Sequence, residues 1–156
     1  HGSNVEVKNP IIREKLRALD FGAGFYLTSS RQQAERWAKT VTKRRRTGMA
    51  TVNIYELDEK QLDLINVLRF ETANAEWLDF VVANRKEQFW ENTYDVVIGP
   101  VANDSTLPVI DDYMDGIYTK EEAVKRLLPQ NLTDQYAFLS NKALELLAFE
   151  RSEVVC

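Results

Sequence analysis

Tyr26 stands in the stretch of the chain best suited to gripping a flat ligand. Gly22-Ala23-Gly24-Phe25 precede it and Leu27-Thr28-Ser29-Ser30 follow it. Glycines allow backbone angles and close approaches that a Cβ forbids. Phe25, Tyr26, Leu27 and Thr28 are strand formers. On such a strand a planar ligand can lie on Tyr26 while its polar groups reach the amides of Gly22 and Gly24. The same residues also suit a tight turn into a core strand, because a lone G-x-G is a weak signal. Two further stretches carry polar and aromatic residues together: His1-Gly2-Ser3 and Asp134-Gln135-Tyr136-Ala137-Phe138. Other chemistries find few residues here. One histidine and one cysteine, Cys156, cannot build a His/Cys metal cluster. With the histidine at position 1, no Ser–His–acid set is convincing. No P-loop pattern is present.

The elements that position these residues read as follows. Ser30 with Gln33 has capping-box spacing and opens a helix. Ala34, Trp37, Ala38 and Val41 form its apolar face, with Arg31, Glu35, Arg36 and Lys39 outside. Lys43-Arg44-Arg45-Arg46 is the one basic run. It reads either as a solvated helix end, where the dipole favours cations, or as a contact for phosphate or nucleic acid. Pro10 to Leu19 is expected to be loop with a short helical turn; Arg13, Lys15 and Arg17 are solvated or reach a phosphate. Thr51 to Leu57 alternates as a strand does. Leu62 to Phe70 reads as a second extended stretch. Thr72 to Asn84 reads as a helix with Trp77, Leu78, Val81 and Val82 on its core stripe. Phe89 and Trp90 read as packing residues. Asp95 to Pro100 is a buried-looking strand. Asp104, just after it, either faces a substrate or caps the helix through Val109 to Tyr113, which Gly116 ends. Thr119 with Glu122 makes another capping box, and Ala123, Val124, Leu127 and Leu128 lie behind it. Gln135 to Leu139 is a short strand with Tyr136 and Phe138 on one face and Ala137 on the other. A helical turn over Asn141 to Leu146 leads to a last strand over Leu147 to Phe149.

Taken together, His1-Gly2-Ser3, the stretch around Tyr26 and the strand around Gln135 resemble the three signature strands of the ADP-ribosyltransferase superfamily. The closest likeness is to a bacterial family of unknown function grouped with those transferases, whose members are often encoded beside a small partner, as in toxin–antitoxin pairs. It extends to Glu76-Trp77-Leu78-Asp79-Phe80-Val81-Val82 and Tyr94-Asp95-Val96-Val97-Ile98-Gly99-Pro100. On this reading His1-Gly2-Ser3 is native sequence rather than the scar of a purification tag, and part of the first strand precedes His1. The resemblance implies an α+β fold: a split antiparallel sheet flanked by helices, with an NAD cleft between its halves. It implies NAD as co-substrate and transfer of a single ADP-ribose to an acceptor macromolecule. His1 would bond the adenosine ribose, and Gly2, with Ser3 close by, would meet the nicotinamide amide. Tyr26 would stack on the nicotinamide ring, with Gly22, Gly24, Phe25 and Thr28 around it. Gln135 stands where the superfamily usually has a glutamate, giving H-Y-Q in place of H-Y-E. A glutamine accepts a ribose hydroxyl bond but lacks the full charge that steadies a developing oxocarbenium. Three outcomes follow: transfer without that charge, substitution by Asp134 or Asp104, or a silent NAD-binding or interaction module.

Composition bounds the rest. The 156 residues fit one domain, residues 1–156, with a real core. No apolar run approaches the roughly 20 residues that span a bilayer. A single cysteine forms no internal disulfide and suits a reducing cytoplasm. The net charge of −4 argues against broad nucleic-acid binding unless a local basic patch overrides it.

Overall fold

The computed structural model describes residues 1–13, 19–86 and 94–156. Lys15, Arg17, Phe89 and Trp90 lie outside the described residues. Among the described residues the fold is mixed α+β with two sheets.

The elements in chain order are β1 (Gly2–Ser3), β2 (Phe25–Leu27), α1 (Arg31–Arg45), β3 (Thr51–Leu57), a 3₁₀ turn (Glu59–Leu64) and β4 (Val67–Arg69). They continue with α2 (Ala75–Arg85), β5 (Val96–Pro100), α3 (Leu107–Met114), α4 (Lys120–Leu127), β6 (Asp134–Phe138), α5 (Asn141–Leu144) and β7 (Leu147–Val154). One sheet has the order β1-β3-β7 and is antiparallel. The other has the order β2-β6-β5-β4. Its pairs are antiparallel except β4 with β5, which run parallel; the connection between them crosses over through α2. The expected α+β fold is observed, its strands lying in two sheets with β4–β5 as the parallel pair among the described residues.

Helix starts follow local chemistry. The Ser30 hydroxyl accepts from the Gln33 amide at 3.2 Å, half of the expected box. Thr119 and Glu122 form the complete reciprocal box of α4. The helix expected from Thr72 begins at Ala75, because Asn74 caps α2, its side chain accepting from Trp77 N at 2.9 Å. Asp104 does not cap α3. The Asn103 carboxamide turns the chain there, accepting from the amides of Ser105 at 3.0 Å and Thr106 at 3.1 Å, and Asp104 stays exposed. The extended stretch expected from Leu62 is interrupted. Asp58 accepts from Lys60 N and caps the 3₁₀ turn, so strand begins only at Val67. The last strand runs on to Val154, because β3 offers it a full-length partner.

Two apolar layers cover the faces of the four-stranded sheet. On one face α2, α3 and α4 bring Trp77, Leu78, Val81, Ile110, Ala123 and Leu127 onto Val97 and Ala137. Trp77 is fully buried, and its indole N–H donates to Pro100 O at 3.0 Å. On the other face Phe25, Val96, Ile98 and Phe138 meet Tyr55, Leu57 and Leu147 of the three-stranded sheet. Alternation along β6 sends Tyr136 and Phe138 to this second layer and Ala137 to the first. Trp37 departs from its expected place. Ala34, Ala38 and Val41 are buried against β1 and β3, but Trp37 is 45% exposed. Its position is at the edge of their stripe, beside Val41, and small alanines let α1 sit too close for a bulky ring between helix and sheet.

Candidate functional site

The stretches around His1, Tyr26 and Gln135 come together where the two sheets adjoin. β1 is the edge of one sheet and β2 the edge of the other. His1 joins them. Its carbonyl accepts from Asn53 N at 2.8 Å, in the ladder with β3, and its Nδ1 lies 2.7 Å from Tyr26 O. A carbonyl can only accept, so Nδ1 carries the proton. The His1 ring packs on Phe25, ring centres 4.2 Å apart.

Gly2 is required by packing. A Cβ there would fall 2.2 Å from Ala34 O and 2.7 Å from Ala38 N, so only a glycine lets α1 press on β1. Ser3 beside it is buried. Gly22 adopts φ +97°, the left-handed region that suits glycine. Gly24 lies where a Cβ would be 2.7 Å from Phe138 O.

Tyr26 is held at both ends. Its ring packs against the helix-side layer. Its hydroxyl donates to Gly22 O at 2.5 Å and accepts from Phe21 N at 3.1 Å. Burial pushes its phenol well above the ordinary tyrosine range. The loop carrying these partners is tied to α2 through Asp20 and Arg85, 2.8 Å apart and each about four-fifths buried.

Gln135 lies on the neighbouring strand. Tyr26 pairs with Ala137, and Gln135 is two residues before Ala137 on the same face. Such diagonal neighbours stand about 7–8 Å apart, within reach of long side chains. Gln135 faces Gly99 across β5 and is 7% exposed. Its Nε2 is buried without a hydrogen-bond partner. An unpaired buried amide costs about 1–3 kcal/mol, so it calls for an explanation.

The structure thus brings Tyr26 and Gln135 to one face. The His1 ring goes to the opposite face with Phe25, because neighbouring residues of a strand point opposite ways. A cleft of about 270 Å³ opens at the end of that opposite face. Arg69, Ile98, Pro100, Asp134 and Tyr136 line it; Tyr26 and Gln135 do not.

Asp134, weighed above as a substitute acid, has a structural task that the sequence hid. Its carboxylate accepts from Ser29 N at 2.8 Å, from Ser29 Oγ at 2.5 Å and from Thr28 Oγ1 at 3.2 Å. Thr28 Oγ1 in turn accepts from Ser30 N at 3.1 Å. The carboxylate therefore fixes the loop between Tyr26 and α1 from the strand that bears Gln135. The only sequence signal was the pair of serines after Thr28. Among the described residues, no group of three or more His, Cys, Asp or Glu could hold a metal ion, and no helix is long and apolar enough to cross a membrane.

A family described as Protein of unknown function (DUF3990) matches residues 1–149. No curated protein and no solved structure matches the chain.

Proposed function

The chain belongs to the family described as Protein of unknown function (DUF3990), and we propose that it is an NAD-using, mono-ADP-ribosyltransferase-like domain. The observation that carries the proposal is the Gln135 carboxamide: buried, unpartnered at Nε2, and on the same sheet face as Tyr26. Groups of that kind suit the polar end of a bound ligand. In this reading NAD is the substrate. The Tyr26 ring, oriented by its bonds to Gly22 and Phe21, stacks on nicotinamide. Gln135 meets the adjoining ribose, and the dinucleotide passes round the edge strand β2 for the second ribose to reach His1 Nε2 on its other face. The acceptor is a macromolecule, and the physiological partner is a small antitoxin. The setting is the cytoplasm.

Breaking the ribose–nicotinamide bond builds positive charge at the anomeric carbon, and catalysis depends on stabilising it. A glutamate about 4 Å away would contribute about 4 kcal/mol at an effective dielectric near 20. Glutamine supplies a dipole and a hydroxyl acceptor instead. Turnover is therefore slow, by about three powers of ten relative to a carboxylate at that place.

A second reading has its own support: a module that binds NAD or ADP-ribose without turnover. The missing charge favours it.

Calorimetric titration with NAD, run beside an assay of nicotinamide release, separates the readings. Saturable binding with release supports the transferase. Binding without release supports the module. No binding refutes both and leaves an interaction domain with a filled cleft. Tyr26→Ala is expected to abolish binding in either case; unchanged affinity would remove Tyr26 from the site.

A further inference from the structure

We propose that the outward face of α1 binds single-stranded nucleic acid, with Trp37 as the stacking plate and Arg36, Lys39, Lys43 and Arg44 as phosphate contacts. The inference is independent of the NAD reading, because it concerns a different surface and a binding event alone.

Charge is the first ground. Residues 31–46 hold seven Lys and Arg and one acid, so this segment is +6 within a chain of −4, and the remainder is −10. A polyanion is drawn to this face and repelled elsewhere. The cations are also available. Arg31 is engaged by Glu35 and Glu153, and Arg45 donates to Asn4. Arg36, Lys39, Lys43, Arg44 and Arg46 are exposed and form no ion pair among the described residues.

Placement is the second ground. At about 100° per residue, Arg36, Lys39, Lys43 and Arg44 fall within an arc of about 140° on the side away from Ala34, Ala38 and Val41, and Trp37 stands at its border, about 20° beyond Arg44 and about 40° from Val41. Arg36, Lys39 and Lys43 follow one another at about 4.5 and 6 Å along the axis, a spacing comparable to successive phosphates of an extended strand.

The third ground selects the class of ligand. Trp37 is 45% exposed amid these cations, and the Arg44 guanidinium lies over its ring, 5.6 Å from the centre. An acidic peptide needs the cations but has no use for the ring. Paired bases in a duplex cannot reach it. Unpaired bases stack on aromatic rings and on guanidinium planes alike, and phosphates complete the contact.

The test is fluorescence anisotropy with a labelled 12-nucleotide oligothymidylate, a 12-base-pair duplex and poly-glutamate as probes. The single strand is expected to bind most tightly. Its log K should fall with log salt at a slope of about −3, as about four phosphate contacts require. Trp37→Ala is expected to weaken the single strand about 5- to 150-fold, the range of base–aromatic stacking, and Trp37→Phe to restore most of the loss. Lys39→Glu with Lys43→Glu should abolish binding. All these positions are exposed, and far-UV circular dichroism of each variant checks that the fold is kept. Failure to bind the single strand at low salt overturns the proposal. So does tighter binding of the duplex or of poly-glutamate, or indifference to Trp37→Ala. None of these outcomes bears on NAD titration.

Discussion

Gln135→Met gives a direct measure of what the unpartnered carboxamide does. Gln135 is 7% exposed, and its Nε2 is buried without a partner. Its neighbourhood is apolar. It faces Gly99, where a Cβ would stand 3.1 Å from Phe70 Cβ and 3.3 Å from Phe21 Cζ. Methionine is unbranched, of similar length, and packs well beside rings. The exchange removes an unsatisfied amide costing about 1–3 kcal/mol. It leaves no cavity to offset that gain. The variant is thus expected to be more stable by about 1–3 kcal/mol. In a chain of this size each kcal/mol raises Tm by about 2–4 °C. Urea unfolding followed by circular dichroism should show a higher midpoint at unchanged slope. Under the proposed function the same variant is expected to lose NAD binding, because the carboxamide assigned to the ribose has gone. Gln135→Asn, which keeps an amide, should show no stability gain. A variant less stable than the parent by 1 kcal/mol or more, on the scale of a lost hydrogen bond, would show that the amide is satisfied in solution, for instance by buried water, and the argument from an orphaned donor would fail. A more stable variant with unchanged NAD affinity would keep the energetics and remove Gln135 from the site.

Gly2→Ala should destabilise the fold by about 3 kcal/mol in urea unfolding, because the new methyl meets backbone atoms of α1. Gly116→Ala is the control: φ there is +79°, nothing lies within 4 Å of a Cβ, and about 1 kcal/mol of strain is expected. Asp134→Ala removes the acceptor of three hydrogen bonds, so the Ser29 amide should exchange with solvent at least tenfold faster while the exchange of α4 stays unchanged. At alkaline pH the fold should weaken. Burial raises the phenols of Tyr26, Tyr55 and Tyr136 in the folded chain, whereas unfolded tyrosines titrate near about 10. The neutral phenols' contribution is complete below that pH and is lost above it. Tyr26 alone supplies a slope of up to about 1.4 kcal/mol per pH unit, and the more exposed tyrosines supply less. A flat unfolding midpoint between pH 9 and 11.5 would contradict the assignment.

Much of the secondary structure was legible because it is local. The Thr119–Glu122 box, the alternation of Thr51 to Leu57 and the stop at Gly116 each depend on residues a few positions apart. The same local rules failed where a competing residue or a distant partner decided. Asn103 turns the chain ahead of α3, where Asp104 was weighed as the helix cap, since a carboxamide oxygen accepts from two amides at once. β7 grew past Phe149 because β3 continued beside it. Trp37 had helical spacing suited to the core, but the close seat of α1 on β1, permitted by Gly2 and Ala34, left no room for an indole.

The candidate site divides along the same line. From residue types and order came the α+β class and the choice of the stretches around His1, Tyr26 and Gln135 as the candidate site. Folding alone settled that β2 and β6 are neighbours, that Tyr26 and Gln135 share a face while the His1 ring takes the other, and that Asp134 clamps the loop at Thr28 and Ser29. Periodicity tells a strand which of its faces is apolar. It carries no record of which strand, more than a hundred residues away, will lie against it, and burial of a carboxamide is fixed only by everything that closes around it.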